Sequence, residues 1–232
     1  MQSNEIRKIA RENLAGNWGI SVGAALVAAL LGGMIAGGSN INYQINENTL
    51  RNLPWFLWSV LIPLISLAGL LSLVSFILGG VVELGYAKFL LKQHDHQQLR
   101  FSDLFSQFDR FGTGFAQQFL RILYVTLWML LFIIPGIVKG FSYAMTPFIL
   151  EDHPEMTASE AINASKKLME GHKMDLFILS LTFLGWQILA CLTMGIGFLF
   201  LNPYMNAAYA VFYRDISAQR QESRSYVPPV EF

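Results

Sequence analysis

The sequence has little charge and almost no cysteine. Only 14% of its 232 residues are Asp, Glu, Lys or Arg, whereas soluble globular proteins carry about 25%. Acidic and basic residues cancel, 16 against 16, so no net field would recruit a polyanion and we expect no nucleic-acid partner. The single cysteine, Cys191, excludes an intrachain disulfide and a cysteine-based metal site. The shortage of charge indicates a multi-span membrane protein rather than a soluble domain.

What the sequence has instead is long stretches without charge. Five of them hold 131 of the 232 residues, and the longest has 38. About 20 apolar residues cross the hydrocarbon as a helix, and these stretches show neither a polar stripe nor strand-like alternation. They predict an all-α transmembrane helix bundle with about six spans, at residues 18–37, 55–78, 115–134, 137–150, 176–201 and 204–216. The predicted domains are an amphipathic cytoplasmic segment, one membrane domain and a disordered cytoplasmic tail, at residues 1–17, 18–216 and 217–232.

Two of the six segments are short, and each follows a proline. Pro135 and Pro203 interrupt the apolar runs, because proline lacks an N–H and clashes with the preceding turn. The segments after them, 137–150 and 204–216, extend about 20 Å, against about 30 Å of hydrocarbon. Two interpretations stay open. The segments cross in full with help from their flanks, or they are re-entrant half-helices of the kind found in transporters.

The basic residues orient this predicted bundle. If both termini are cytoplasmic, 13 of the 16 lysines and arginines fall on the cytoplasmic side, as the positive-inside rule expects. No other arrangement of the spans separates the charges as well. The sequence therefore predicts a multi-pass protein of the cytoplasmic membrane with membrane lipids as its first partners.

Lys139 lies inside a predicted span, where a charge is costly. One explanation is snorkelling of its long side chain to the outer interface, and the other is binding of an anionic substrate or lipid headgroup. Polar residues that could line a cavity with it are Tyr143, Asn202, Tyr204 and Asn206. Helix-to-helix hydrogen bonds explain these polar residues equally well.

Two cytoplasmic helices are predicted between the spans, near residues 101–114 and 157–171. The first carries a stripe of aromatic side chains at near-helical spacing: Phe101, Phe105, Phe108 and Phe111. Such a stripe docks a protein partner, lies on the membrane surface, or packs on the bundle as the entry to the third span. The second helix begins at Thr157, which has capping-box spacing to Glu160, and its simplest role is that of a connector.

Gly33 and Gly37 have the four-residue spacing that lets helices approach closely. They fit packing inside the bundle or the seam of a homo-oligomer. Candidates for chemistry are weak, because the His94-Asp95-His96 fragment and the acidic residues around Pro154 both have the composition of solvated loops. No metalloprotease, nucleophile-elbow or phosphate-loop motif occurs. We therefore expect no catalytic residue, no cofactor and no metal site.

Several stretches of the chain are similar to one family. They are Arg11–Trp18, Ile134–Lys139, Ser142–Met145, Ala161–Ser165, Gly171–Lys173 and Leu201–Tyr209. In these stretches the chain resembles bacterial integral membrane proteins catalogued as "domain of unknown function 975". The resemblance implies a six-helix bacterial membrane protein, and it brings no catalytic residue.

Two functional hypotheses follow from the sequence. The first is a non-enzymatic membrane scaffold or partner subunit that uses the aromatic stripe to dock a protein on the cytoplasmic face. The second is a small transporter or lipid-binding bundle that uses Lys139 and the breaks at Pro135 and Pro203. A transporter needs a polar cavity at mid-depth, whereas a scaffold can be solid there.

Overall fold

A computed structural model describes residues 3–30, 55–193 and 195–225, and these residues form helices with no strand among them. In chain order the α-helices are α1 (Ser3–Leu14), α2 (Trp18–Leu30), α3 (Trp55–His94), α4 (Phe111–Leu131), α5 (Ile133–Tyr143), α6 (Thr146–Asp152), α7 (Ala158–Leu168), α8 (Lys173–Leu192) and α9 (Phe198–Ser225). Two 3-10 helices, Phe101–Phe105 and Phe108–Arg110, lie between α3 and α4. The all-α prediction is confirmed for this part of the chain.

Three stretches of the described residues are long and apolar enough to cross a membrane: Ser72–His94, Phe101–Leu131 and Lys173–Leu192. Large apolar side chains are widely exposed along these helices and at the turns beside them, as in Leu73, Leu130 and Leu192, which are 56%, 85% and 76% exposed. A protein in water rarely exposes so much contiguous apolar surface. The fold therefore has the surface of a membrane protein.

Helix α3 is the axis of the packed core. Its 40 residues extend about 60 Å, twice the thickness of the hydrocarbon. Leu70 and Leu73 are exposed, whereas nearly every residue from Gly79 to Leu91 is buried by the neighbouring helices α1, α2, α4, α6 and α9. The sequence predicted that this helix ends near residue 78, and the structure extends it to His94.

Glycine permits two close approaches to α3. Gly80 faces the backbone of Gly114 on α4, and Gly85 faces the backbone of Leu104 in the first 3-10 helix. A Cβ atom added at Gly85 would overlap the Leu104 carbonyl oxygen. These glycines therefore fix where α4 and the 3-10 segment contact the axial helix.

Helices α4 and α5 form a hairpin that turns at Phe132. Phe132 is extended, with φ −157° and ψ 139°, and α5 begins at Ile133. The break or tight hairpin predicted at Pro135-Gly136 lies three residues earlier, because Pro135 is in the first turn of α5, where an N–H has no partner in the helix and proline is tolerated. The predicted segment 137–150 is in fact two helices, α5 and α6.

Helices α8 and α9 form a second hairpin. The chain turns between Thr193 and Gly197, with Gly195 at φ +89° and the Gly197 N–H donating to Thr193 Oγ1 at 2.9 Å. Because α9 already begins at Phe198, Pro203 lies inside the helix. The predicted break at Asn202-Pro203 was therefore wrong, since a glycine-rich turn before it reverses the chain.

Four further predictions have different outcomes. The surface helix predicted near 101–114 is replaced by the two 3-10 helices and the start of α4. The capping box of α7 is confirmed, since the Glu160 N–H donates to Thr157 Oγ1 and the Glu160 carboxylate accepts from the Thr157 N–H at 2.8 Å. The tail predicted as disordered is helical up to Ser225. Gly33 and Gly37 lie outside the described residues.

Candidate functional sites

The four phenylalanines of the stripe predicted from the sequence are all exposed, and we call them the phenylalanine surface. Its members Phe101, Phe105, Phe108 and Phe111 are 48%, 46%, 39% and 37% exposed. The rings of Phe105 and Phe108 lie 6.0 Å apart. Four large aromatic side chains are thus held outside the core on a short, irregular segment.

The opposite side of that segment is anchored to the core. Leu104 is fully buried, and Asp103 accepts a 2.7 Å ion-paired hydrogen bond from Lys92 Nζ on α3. Gln107 Nε2 donates to Glu151 Oε2 on α6 at 2.7 Å. Arg110 Nη1 donates to the Leu150 carbonyl at 3.0 Å. The phenylalanine surface therefore rests on a fixed support rather than on a free loop.

Glu151 is the acidic centre of this support. Burial raises the pKa of its carboxyl, and the positive charges of Lys88 and Arg110 act in the opposite direction. Lys88 Nζ lies 3.8 Å from Glu151 Oε1. A nearby carboxylate, Asp152, accepts 2.8 Å hydrogen bonds from the Tyr213 hydroxyl and Arg214 Nη1. The acidic residues around Pro154 therefore serve partly as contacts between helices.

Lys139 lies near other lysines. Its helix α5 packs on α7, which carries Lys166, and on α8, which begins at Lys173, and its ammonium lies 4.8 Å from the centre of the Trp128 ring. A hydrogen bond joins the two helices α7 and α5. Ser165 Oγ on α7 donates to the Ser142 carbonyl oxygen on α5 at 2.9 Å. Snorkelling to the outer interface, one of the two explanations that the sequence left open, would need Lys166 and Lys173 on that side too.

The other predicted site residues do not gather around Lys139. Tyr143 is buried on α5 with its ring 6.2 Å from that of Tyr124. Asn206 is buried on α9, where its Nδ2 donates to the Tyr86 hydroxyl at 3.3 Å. Tyr204 donates to the Arg7 carbonyl at 3.3 Å, and Asn202 is half-buried. Hydrogen bonds and ring contacts between helices thus account for Tyr143, Tyr204 and Asn206.

A cavity that the sequence did not predict lies between α1, α2, α8 and α9. Its volume is about 390 Å³, and its wall includes Arg7, Arg11, Trp18, Trp186 and Tyr204. Of these, the sequence had singled out Tyr204 alone. The signal that could have found the site is the four-residue spacing of Arg7 and Arg11, which puts both on one face of an amphipathic helix.

No group of three or more metal-ligating side chains converges within residues 3–30, 55–193 and 195–225. His94 Nδ1 and Asn13 Nδ2 lie 3.1 Å apart, and Asp95 is paired with Arg214 at 2.8 Å. The His94-Asp95-His96 fragment therefore joins the end of α3 to α1 and α9.

One family model matches the sequence over residues 1–139 and 129–220, which is nearly its whole length. The chain belongs to the family described as "Protein of unknown function (DUF975)". The resemblance seen in the sequence motifs is thereby confirmed. No curated protein and no solved structure matches the chain, so the DUF975 match brings a family and no activity.

Proposed function

We propose that this DUF975 protein is a non-enzymatic scaffold of the bacterial cytoplasmic membrane that presents the phenylalanine surface to a protein partner. The observation that carries this proposal is the contrast between the two sides of one segment. Asp103, Leu104 and Gln107 are buried, and Asp103 and Gln107 are hydrogen-bonded to the core, whereas the four phenylalanines are exposed, with the tip of the Phe101 ring beside Gly23 of α2. Exposed aromatic side chains on a rigid support are typical of the central residues of protein interfaces.

For the topology, we propose that the α4–α5 hairpin enters the membrane from the cytoplasmic side and turns within it. Helix α5 has 11 residues and extends about 16 Å, roughly half of the hydrocarbon thickness. The part of α4 beyond Arg121 has about the same length. Helix α5 of this hairpin packs on α7 and α8, which carry Lys166 and Lys173, and the positive-inside rule assigns both lysines to the cytoplasm.

The α8–α9 hairpin has an equivalent argument. Arg7 contacts it about halfway along, with its guanidinium 5.5 Å from the centre of the Phe183 ring and 3.4 Å from the Tyr204 hydroxyl. If this hairpin crossed in full, the charged helix α1 would lie at the bilayer centre, which is costly. Our proposal therefore has two full crossings, at residues 18–37 and 55–78, two re-entrant hairpins and both termini in the cytoplasm.

Transport is the weaker alternative. It needs a polar cavity that joins Lys139, Tyr143 and Asn202, and none of these three lines the cavity between α1, α2, α8 and α9. Lipid binding is the better-supported second function, because that cavity combines arginine with apolar side chains. Apart from Tyr204, the residues of this cavity differ from those the sequence suggested.

The scaffold proposal is tested by site-specific crosslinking in cells. The photoreactive residue p-benzoylphenylalanine replaces Phe105 in one variant and Glu170, an exposed residue in the turn after α7, in a matched control. We expect a discrete protein adduct from position 105 and none from position 170. If position 105 gives adducts with lipid alone, the surface lies on the membrane and the scaffold proposal is wrong.

A further inference from the structure

The cavity between α1, α2, α8 and α9 has a mixed wall. Arg7 and Arg11 contribute two cations, whereas Trp186, Leu189 and Phe200 contribute apolar surface. These three apolar side chains are 54%, 52% and 57% exposed, so the cavity continues into the apolar exterior of the α8–α9 hairpin. At about 390 Å³ the volume is within the range of small-molecule sites, roughly 300–1,000 Å³.

The two arginines have no anionic partner among the described residues. Arg7 contacts only neutral groups there, the Tyr204 hydroxyl at 3.4 Å and the Phe183 ring. The carboxylate of Glu12 lies 4.0 Å from Lys8 on the same helix, and no ion pair joins Arg11 to another carboxylate in the part of the chain that the structure describes. Because Arg7 and Arg11 are four residues apart, their side chains project from one face of α1, about 6 Å from each other at Cβ. The cavity therefore has two positive charges at one end that no carboxylate of the described residues pairs with.

This distribution of charge restricts the ligand. Guanidinium groups form paired hydrogen bonds with phosphate oxygens, and an arginine pair suits a phosphodiester. Basic pockets between membrane helices on the cytoplasmic side bind anionic headgroups. Trp18 and Trp186 also line the cavity, and tryptophan favours the level of the headgroups. A ligand with an anionic head and an acyl tail satisfies both halves of the wall.

We propose that this cavity binds an anionic phospholipid from the cytoplasmic leaflet. Its phosphate is held by Arg7 and Arg11, and its acyl chain lies along Leu189 and Phe200 and leaves the cavity towards the surrounding bilayer. The site differs from the Lys139 region that the sequence suggested. The inference rests on the proposed membrane placement, but it is independent of the scaffold role of the phenylalanine surface.

The test is titration calorimetry on the purified full-length protein in a neutral maltoside detergent. The probes are dioctanoyl phosphatidylglycerol and, as its uncharged counterpart, dioctanoyl phosphatidylcholine. We expect saturable binding of phosphatidylglycerol and at least about tenfold weaker binding of phosphatidylcholine, a factor that corresponds to 1.4 kcal/mol. Octanoate and inorganic phosphate are separate probes, and both should bind at least about tenfold more weakly than phosphatidylglycerol.

Variants connect the binding to the cavity. Arg7→Gln with Arg11→Gln should lower phosphatidylglycerol affinity to the phosphatidylcholine level, whereas Lys8→Gln on the same helix should leave it unchanged. Arg7→Lys with Arg11→Lys keeps the charges and should retain part of the preference, which separates loss of the site from loss of the fold. The proposal is overturned if both lipids bind equally, if octanoate or phosphate alone binds as well, or if the double Gln variant keeps its preference. Such a result would leave crosslinking at Phe105 unaffected.

Discussion

Glu83 shows what holds the helices together at the level of single residues. Its carboxylate is 2% exposed on α3, and Arg121 Nη2 on α4 lies 2.7 Å and 2.8 Å from its two oxygens. Gln117 Nε2, one turn earlier on α4, donates to the same carboxylate at 2.9 Å. A buried charge is tolerated only when it is paired and hydrogen-bonded. This contact therefore fixes the register between α3 and α4 as well as their separation.

Removing one partner of this pair should be far more harmful than removing both. We expect Arg121→Leu to lower the free energy of unfolding by about 3–5 kcal/mol, because the Glu83 charge is left buried and unpaired. Arg121→Leu with Glu83→Leu should recover most of the loss, since no charge remains in the contact. Thermal unfolding in detergent micelles measures both. Lys8→Gln, which alters an exposed pair, is the control and should change stability by less than about 1 kcal/mol. A single variant as stable as the parent would contradict the account.

The sequence could predict which residues are unusual but not what they contact. Lys139 is recognisable in the sequence as a charge within an apolar run, because a charged side chain inside the hydrocarbon costs free energy. Its proximity to Lys166 and Lys173 depends on how α5 packs on α7, which is a long-range property. Arg7 and Arg11 were missed as a site for the same reason. Charges near a terminus look like an ordinary solvated face until α8 and α9 are placed beside them.

At the level of elements, the apolar runs predict helices well and their ends poorly. The capping box at Thr157 located the start of α7, because it is a local arrangement of hydrogen bonds. The two prolines misled the prediction, because proline inside a sequence reads as a break. The first turn of α5 accepts Pro135, and α9 continues through Pro203. The chain reverses instead at Phe132 and at the glycine turn before Phe198. Both turns consist of uncharged residues, so the positive-inside rule does not assign either of them to one side of the membrane.

Cysteine labelling from outside the cell measures that depth. With Cys191→Ala as background, single cysteines replace Phe132 and Thr193 at the two turns, and cells are treated with a membrane-impermeant maleimide. We expect no labelling at either turn, because in the proposed topology both hairpins are re-entrant and their turns do not reach the outer solution.

Two control positions make the labelling interpretable. Asn46→Cys, in the loop predicted on the outer face, should be labelled in intact cells. Ser159→Cys, exposed on α7, should be labelled only after the cells are lysed. Labelling of Phe132→Cys or Thr193→Cys in intact cells would show that the corresponding hairpin crosses in full.

At the level of the whole molecule, polar contacts and exposed apolar surface occupy different regions. The ion pairs of Glu83, Lys92, Lys88 and Arg214 join the packed half of α3 to the surrounding helices. The free ends of the two hairpins have no such pairs among their described residues and expose leucine, isoleucine and phenylalanine. The charge-free runs of the sequence thus become the exposed apolar ends of the hairpins, and the charged segments between them become the packed half. The low charge content thus reflects how much of the chain faces lipid.

The separation also predicts the orientation of the molecule in the membrane. Every basic residue of α1, α7 and α9, and Lys173 at the start of α8, belongs to the set that the positive-inside rule places in the cytoplasm. Green fluorescent protein fused after Phe232 should therefore be fluorescent, and alkaline phosphatase fused at the same point should be inactive. Phosphatase fused after Asn46 is the matched control and should be active. An active phosphatase after Phe232 would invert the orientation and put Lys139, Lys166 and Lys173 on the outer face. The cavity with Arg7 and Arg11 would then face the outer leaflet, so this one measurement also decides which leaflet supplies its lipid.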